Sequence, residues 1–174
     1  MSDEKIAIII PIKLNNERPL KGLPLCHWCF ERCVTFKQNN QHLNIEIYVF
    51  CSHYDALKDY IPNPHIKFIP RPDHLNSPET TTNDFLKVFK NLVVADHYIV
   101  QYITSPYLKW QTLQDAVHQY LDSDKDSCHS IKEIRSFCDY NGSPLNYKRD
   151  NYPRTQDLIP VHCDAILFFI FNKK

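Results

Sequence analysis

The sequence predicts an α/β fold of three layers, α/β/α, with a mostly parallel central sheet covered by helices on both faces. Three observations carry this. Apolar runs of strand length recur along the chain, segments with helical spacing separate them, and each run opens into a polar loop. The runs are apolar at nearly every position rather than at alternate ones, as strands buried on both faces require. Alternation of strand and helix implies right-handed crossovers and hence parallel neighbours.

In order, the expected strands are IAIIIP at 6–11, IEIYVF at 45–50, HIKFIP at 65–70, YIVQYI at 98–103 and AILFFIF at 165–171. Helices are expected at 24–38, 54–60, 80–94 and 109–122. The first contains LCHWCFERCVTF, where Cys26, Cys29, Phe30 and Cys33 share one face. Cysteine there acts as a small buried hydrophobe. No second CxxC or spaced His pair completes a zinc set. The third helix repeats Phe85, Val88, Phe89 and Leu92 at i, i+3, i+4 and i+7, behind the capping types Thr80 to Thr82 and Asn83. The fourth does the same with Leu113, Ala116, Val117 and Tyr120.

A length of 174 residues suits one domain, 1–174, with no linker or internal repeat. The irregular stretch 139–162, with Tyr140, Tyr147 and Tyr152, is expected to act as a lid or dimerisation segment. Acidic and basic residues balance at 20 each, so no global field draws the chain to nucleic acid or to an anionic membrane. No apolar run approaches the roughly 18 residues of a membrane span, and MSDEKIAIII lacks a signal-peptide pattern. With seven cysteines, an odd number, free thiols and a cytoplasmic location are expected.

Ligands of parallel sheets bind beyond the strand C-termini, so the loops at 11–24, 70–79 and 104–108 should line one cleft. The first, PIKLNNERPLKG, offers Lys13, Asn15, Asn16, Arg18 and Lys21, a set suited to phosphate or to a plain solvated loop. It holds neither GxGxxG nor GxxxxGK[ST], which excludes the usual dinucleotide and P-loop readings. The second places Arg71 directly after a strand, either as a planar fork for a ligand or as a surface partner of Asp73. The third puts Gln101 inside an apolar strand, with Thr104, Ser105 and Pro106 beyond it. A buried Gln needs partners, and the hydroxyls serve as ligand donors or as part of a simple turn.

Taken in order, IIIPIKLNNER, RPDHLNSPETTTND, VQYITSPYL, DSCHSIKEI and YPRTQDLIPVH with FFIFNK resemble the bacterial acylneuraminate cytidylyltransferases, the CMP-N-acetylneuraminate synthetases. The TSP after the central strand distinguishes this group from the sister enzymes that activate 3-deoxy-manno-octulosonate. The resemblance implies a nucleotide-diphospho-sugar transferase-like, Rossmann-like fold and a single cytidylyltransferase-like domain. It implies transfer of CMP from CTP to the anomeric hydroxyl of a nonulosonic acid, with Mg²⁺ and release of pyrophosphate. A homodimer is implied as well.

By the same resemblance, Lys13 holds triphosphate oxygens, and Arg18 and Lys21 stand in for a phosphate-gripping lysine. Asn15, Asn16, Arg71, Ser77, Thr82, Thr104 and Ser105 meet the nucleotide. Gln101, Arg154 and Gln156 meet the acidic nine-carbon sugar. The pattern departs in three places. Glu17-Arg18 runs straight into PLKGLPL where the family carries a KGxPxKN or RLPGKN segment. Ala165-Ile166-Leu167 stands where the family has Asn-Gly. The family's acidic DIDxxxD-like segment falls beyond Lys174, so Mg²⁺ is assigned no ligand. Two alternatives remain. One is a noncatalytic nucleotide-binding or assembly subunit of this fold. The other is a nucleotide-sugar-dependent glycosyltransferase, for which Asp122-Ser123-Asp124 spells a DxD at an expected helix end.

Overall fold

Strand β1, Lys5–Ile12, runs through the middle of the sheet because its isoleucines find apolar partners on both faces. The structure, a computed structural model, describes residues 4–13, 19–61 and 64–174. After β1 come β2 (Pro19–Leu20), β3 (Leu23–Pro24), α1 (Leu25–Asn39), β4 (Asn44–Cys51), β5 (Ile66–Pro70), α2 (Thr82–Leu92) and β6 (His97–Gln101). Then follow α3 (Trp110–Leu121), β7 (Ser127–Ile134), β8 (Asp139–Tyr140), β9 (Ser143–Pro144) and β10 (Val161–Asn172).

The main sheet has the order β5-β4-β1-β6-β10-β7. Strand β1 pairs in parallel with β4 and with β6, and β4 pairs in parallel with β5. Strand β10 lies antiparallel to β6, with Phe168 opposite Gln101 and Asn172 opposite His97. This gives the mostly parallel sheet that the apolar runs predict.

Side-chain alternation along β1 divides the core in two. Ile6, Ile8, Ile10 and Ile12 join Cys26, Cys29, Phe30 and Cys33 of α1 and Leu113 and Val117 of α3. Ala7 and Ile9 face the other way, with Phe85 and Phe89 of α2. The three layers are therefore α1 with α3, the sheet, and α2. All seven cysteines are free thiols, and the α1 three pack as core residues. Helix α2 starts on a capping box in which Thr81 and Asp84 satisfy each other's backbone N–H groups. Helix α1 ends where the Asn40 amide donates to Phe36 O at 2.8 Å and to Gln114 Oε1 of α3 at 2.9 Å.

The helix expected at 54–60 does not form. Only a 3₁₀ turn, Lys58–Tyr60, is present, and none of its residues is buried. With so little apolar surface to cover, nothing outweighs the cost of starting a helix. Strand β7 escapes the sequence pattern because Ser130 is its one buried residue, so it has no apolar run to show. Strand β10 begins at Val161, ahead of the expected 165, since its first half alternates between partly buried and exposed residues.

The chain divides into two compact units, Met1–Cys128 with Leu167–Lys174, and His129–Ile166. The second contains the hairpin β8–β9, turned by Asn141 (φ 49°) and Gly142 (φ 77°). Both central residues of such a tight turn need positive φ, which Asn-Gly provides. Phe137, Tyr147 and Tyr152 form a three-ring cluster beside it, with centroids 5.1–5.3 Å apart. The Tyr147 hydroxyl donates to the Asp139 carboxylate at 3.1 Å, and burial together with that carboxylate pushes the phenol up to about 12. Among the described residues no helix is long and apolar enough to cross a membrane.

Candidate nucleotide site

The first unit brings the C-terminal ends of β1, β4, β5 and β6 to one edge, and each is followed by a polar loop. Lys13 stands immediately after β1 and donates from Nζ to the carbonyl of Ser77 at 2.8 Å. Ser52, just past β4, accepts from Asn76 Nδ2 at 2.9 Å. Arg71, just past β5, donates its backbone N–H to Cys51 O at 3.0 Å. The first and second loops are therefore tied to each other and to the end of β4.

Arg71 is buried, only 4% exposed, which removes the alternative of a surface pair with Asp73. Its guanidinium donates to Leu75 O and lies over the rings of Phe50 (5.9 Å) and Phe85 (5.5 Å). Burial pulls its pKa below the ordinary arginine value. Its Nε has no hydrogen-bond partner among the described residues. A buried donor without a partner is costly, and a ligand oxygen would relieve it.

Gln101, the last residue of β6, is fully buried. Its Oε1 accepts from Arg32 Nε at 3.1 Å, while its Nε2 has no partner among the described residues. Arg32 also donates to Ser105 O at 2.9 Å and Leu108 O at 3.4 Å. Thr104 is exposed and Ser105 half-buried. Thr82, the first residue of α2, lies with its hydroxyl 3.4 Å from that of Tyr102.

Lys21 is exposed at the turn of the β2–β3 hairpin, with φ 53° beside Gly22 at φ 80°. It lines a pocket of ≈ 180 Å³ with Leu20, Trp28, Pro106 and Tyr107, which places this hairpin against the loop after β6. Asn15, Asn16 and Arg18 lie outside the described residues. Arg154 and Gln156 belong to the second unit. There both are exposed, and the Arg154 fork holds Asp157 at 2.7 and 3.2 Å. Asp122 caps the C-terminus of α3 and Asp124 pairs with Lys125 at 2.7 Å, so this DxD ends a helix rather than following a strand.

Sequence reasoning missed Arg32, Ser52 and Asn76. Arg32 carries a readable signal, because it lies three residues after Cys29 and four before Phe36, on the border of the apolar stripe of α1. Ser52 and Asn76 are ordinary loop types, and only the fold brings them together.

Among the described residues no three His, Cys, Asp or Glu side chains cluster to hold a metal ion. Glu79 and Asp84 are engaged by Ser77 and Thr81. The described residues thus form no cage for Mg²⁺. What the edge does supply is cations and N–H donors for an anionic ligand.

A mostly parallel six-stranded sheet with helices on both faces and a cationic C-terminal edge is the nucleotidyltransferase-like α/β architecture. Residues 12–162 match the cytidylyltransferase family, and the chain belongs to that family. It is an enzyme, a CTP-using nucleotidyltransferase. No curated protein matches the sequence.

Solved structures share the fold at low identity. One is a CMP:2-keto-3-deoxy-manno-octonic acid synthetase complexed with CTP, at 15% identity and a TM-score of 0.66, covering 97% of this chain and 74% of the other. The 4-diphosphocytidyl-2C-methyl-D-erythritol synthase from Anaerococcus prevotii has 12% identity and a TM-score of 0.66, with coverage of 98% and 72%. The bifunctional IspDF from Campylobacter jejuni has 14% identity and a TM-score of 0.61, with coverage of 97% and 41%.

Proposed function

We propose that the enzyme transfers CMP from CTP to the anomeric hydroxyl of a nonulosonic acid, a sialic-acid-like sugar, for surface glycan synthesis. The observation that carries this reading is the tie between Lys13 and Ser77 beside the buried, partly unpartnered Arg71. It gathers a cation for the triphosphate and a planar fork for the base at one end of the sheet. The acceptor is read from TSP at 104–106 and from the five ordered blocks.

In the reaction, the anomeric oxygen attacks the α-phosphorus and loses its proton to solvent water. The bond from that phosphorus to the β-phosphate bridging oxygen breaks, and pyrophosphate leaves. Lys13 neutralises phosphate charge, with Lys21 and Arg18 as further cations from the same loop. Asn15, Asn16, Arg71, Ser77, Thr82, Thr104 and Ser105 hold the nucleotide and Gln101 the sugar, and the family resemblance gives Arg154 and Gln156 a sugar-binding role as well. Mg²⁺ accompanies CTP, the protein works in the cytoplasm, and two copies pair through 139–162.

The test supplies full-length protein with Mg²⁺ and CTP, and measures pyrophosphate release with N-acetylneuraminate, other nonulosonic acids and 3-deoxy-manno-octulosonate in parallel. Release with a nonulosonic acid supports the reading. Release with the eight-carbon acid alone overturns the acceptor, and CTP binding without release from any acceptor leaves a binding subunit.

A further inference from the structure

Arg32 is a charged residue on the inward side of α1, 5% exposed, between Cys29 and Phe36, which are both fully buried. No carboxylate pairs with it among the described residues. Burying a cation without a counter-ion is costly unless neutral acceptors surround it. All three of its acceptors lie on one short segment, Gln101 Oε1, Ser105 O and Leu108 O. Within that segment the Leu108 N–H also donates to Ser105 O at 3.2 Å. An apolar residue at position 32 would extend the stripe of α1 but leave both carbonyls without this donor.

A guanidinium only donates, so it fixes which end of the Gln101 amide faces it. Oε1 must accept, and the other end is then a donor. That donor, Nε2, is buried and has no partner among the described residues, and the same holds for the second terminal nitrogen of Arg32.

We infer that Arg32 is a positioning residue for the transfer reaction: it clamps the 102–108 loop to α1 and sets the Gln101 amide so that Nε2 donates to an oxygen of the acceptor substrate. The ligand class is an oxygen acceptor, a carboxylate or hydroxyl of the sugar. The inference rests on the reading that Gln101, Thr104 and Ser105 meet substrate.

Three variants test it: Arg32→Met, Arg32→Lys and Gln101→Glu. Amide hydrogen exchange over 102–108 is followed without substrate. The kcat and KM for the acceptor are measured beside CTP affinity by calorimetry. Arg32→Met is expected to speed exchange over 102–108 about tenfold or more, the loss of charge-assisted hydrogen bonds, while β1 and β4 keep their protection. Its kcat/KM for the acceptor is expected to fall roughly hundredfold, the scale of a misplaced site.

Arg32→Lys keeps a donor and is expected to recover part of both. Gln101→Glu still accepts from Arg32 but has no N–H. It is expected to keep wild-type loop protection and to raise the KM for the acceptor. Wild-type exchange in Arg32→Met overturns the clamp, and wild-type KM in Gln101→Glu overturns the donor. If the wild type releases no pyrophosphate with any acid sugar, the proposed function fails, and the exchange measurements alone still decide the clamp. If Arg32→Met does not fold, Arg32→Lys and Gln101→Glu carry the same comparisons.

Discussion

The Lys13 ammonium donates to the Ser77 carbonyl at 2.8 Å, although 64 residues separate the two in sequence. Strand β1 delivers Lys13 and the loop after β5 delivers Ser77, so the pair forms only when the parallel sheet is assembled. Lys13 has two further N–H donors available for phosphate oxygens. Replacing it with Met keeps the aliphatic stem and removes the charge. CTP affinity by calorimetry is expected to fall about tenfold to hundredfold, the range of a charge-assisted hydrogen bond. An unchanged affinity would remove Lys13 from the triphosphate site.

Arg71 offers a comparison with a surface arginine. Arg135 is exposed and pairs with Glu133 at 3.4 Å, an interaction of little energetic consequence. Arg71→Lys retains a cation but loses the planar fork, whose Nε is buried without a partner among the described residues. Arg71→Lys is expected to weaken CTP about tenfold or more, and Arg135→Ala to leave it unchanged. Calorimetric titration with CTP and with CMP checks both, since a base contact is lost for each nucleotide. Equal effects at the two positions would remove Arg71 from base recognition.

Much of this arrangement was legible in the residues because the parallel strands are apolar at most positions. Ile6 to Ile10 has to be buried on both faces, which yields three layers, and the apolar runs ending at 11 and 70 place Lys13 and Arg71 near strand ends, whereas Gln101, expected inside its run, is the last residue of β6. Strand β7 was not legible, since a strand exposed over most of its length carries no apolar signature. Asn76 and Ser52 are unremarkable in sequence, and their 2.9 Å contact is a product of the sheet order. The burial of Arg32 was only half legible: its place beside the apolar stripe of α1 can be read from the spacing, but its acceptors on Gln101, Ser105 and Leu108 come together only in the fold.

Glu46 on β4 accepts from Lys67 and Tyr48 and pairs with Lys5 at 2.5 Å. The Lys5 hydrogen bond, followed by those of Lys67 and Tyr48, lowers its pKa from 4.5 to about 2. A depressed carboxyl contributes stability that is fully present above its unfolded value and is lost as pH falls through the folded one. The contribution of Glu46 is therefore expected to disappear between about 4.5 and about 2. Glu46→Gln should lower the thermal midpoint at neutral pH, and the difference from wild type should shrink as pH drops through that window. A difference independent of pH would show that the carboxylate is not what stabilises this cluster.

Ile166 adopts φ 51° within β10, and its N–H is held by Asp164 Oδ1 at 2.7 Å. Left-handed backbone costs an L-residue about 1–2 kcal/mol, and a β-branched side chain is poorly suited to it. Ile166 is 54% exposed, so its side chain returns only part of that cost through burial. Ile166→Gly is expected to raise unfolding stability by about 1 kcal/mol, once the greater freedom of glycine in the unfolded chain is set against the relieved strain. Denaturant unfolding of the two proteins measures it. A variant less stable than wild type would mean that the exposed Ile166 side chain gives more through its contacts than the left-handed backbone costs.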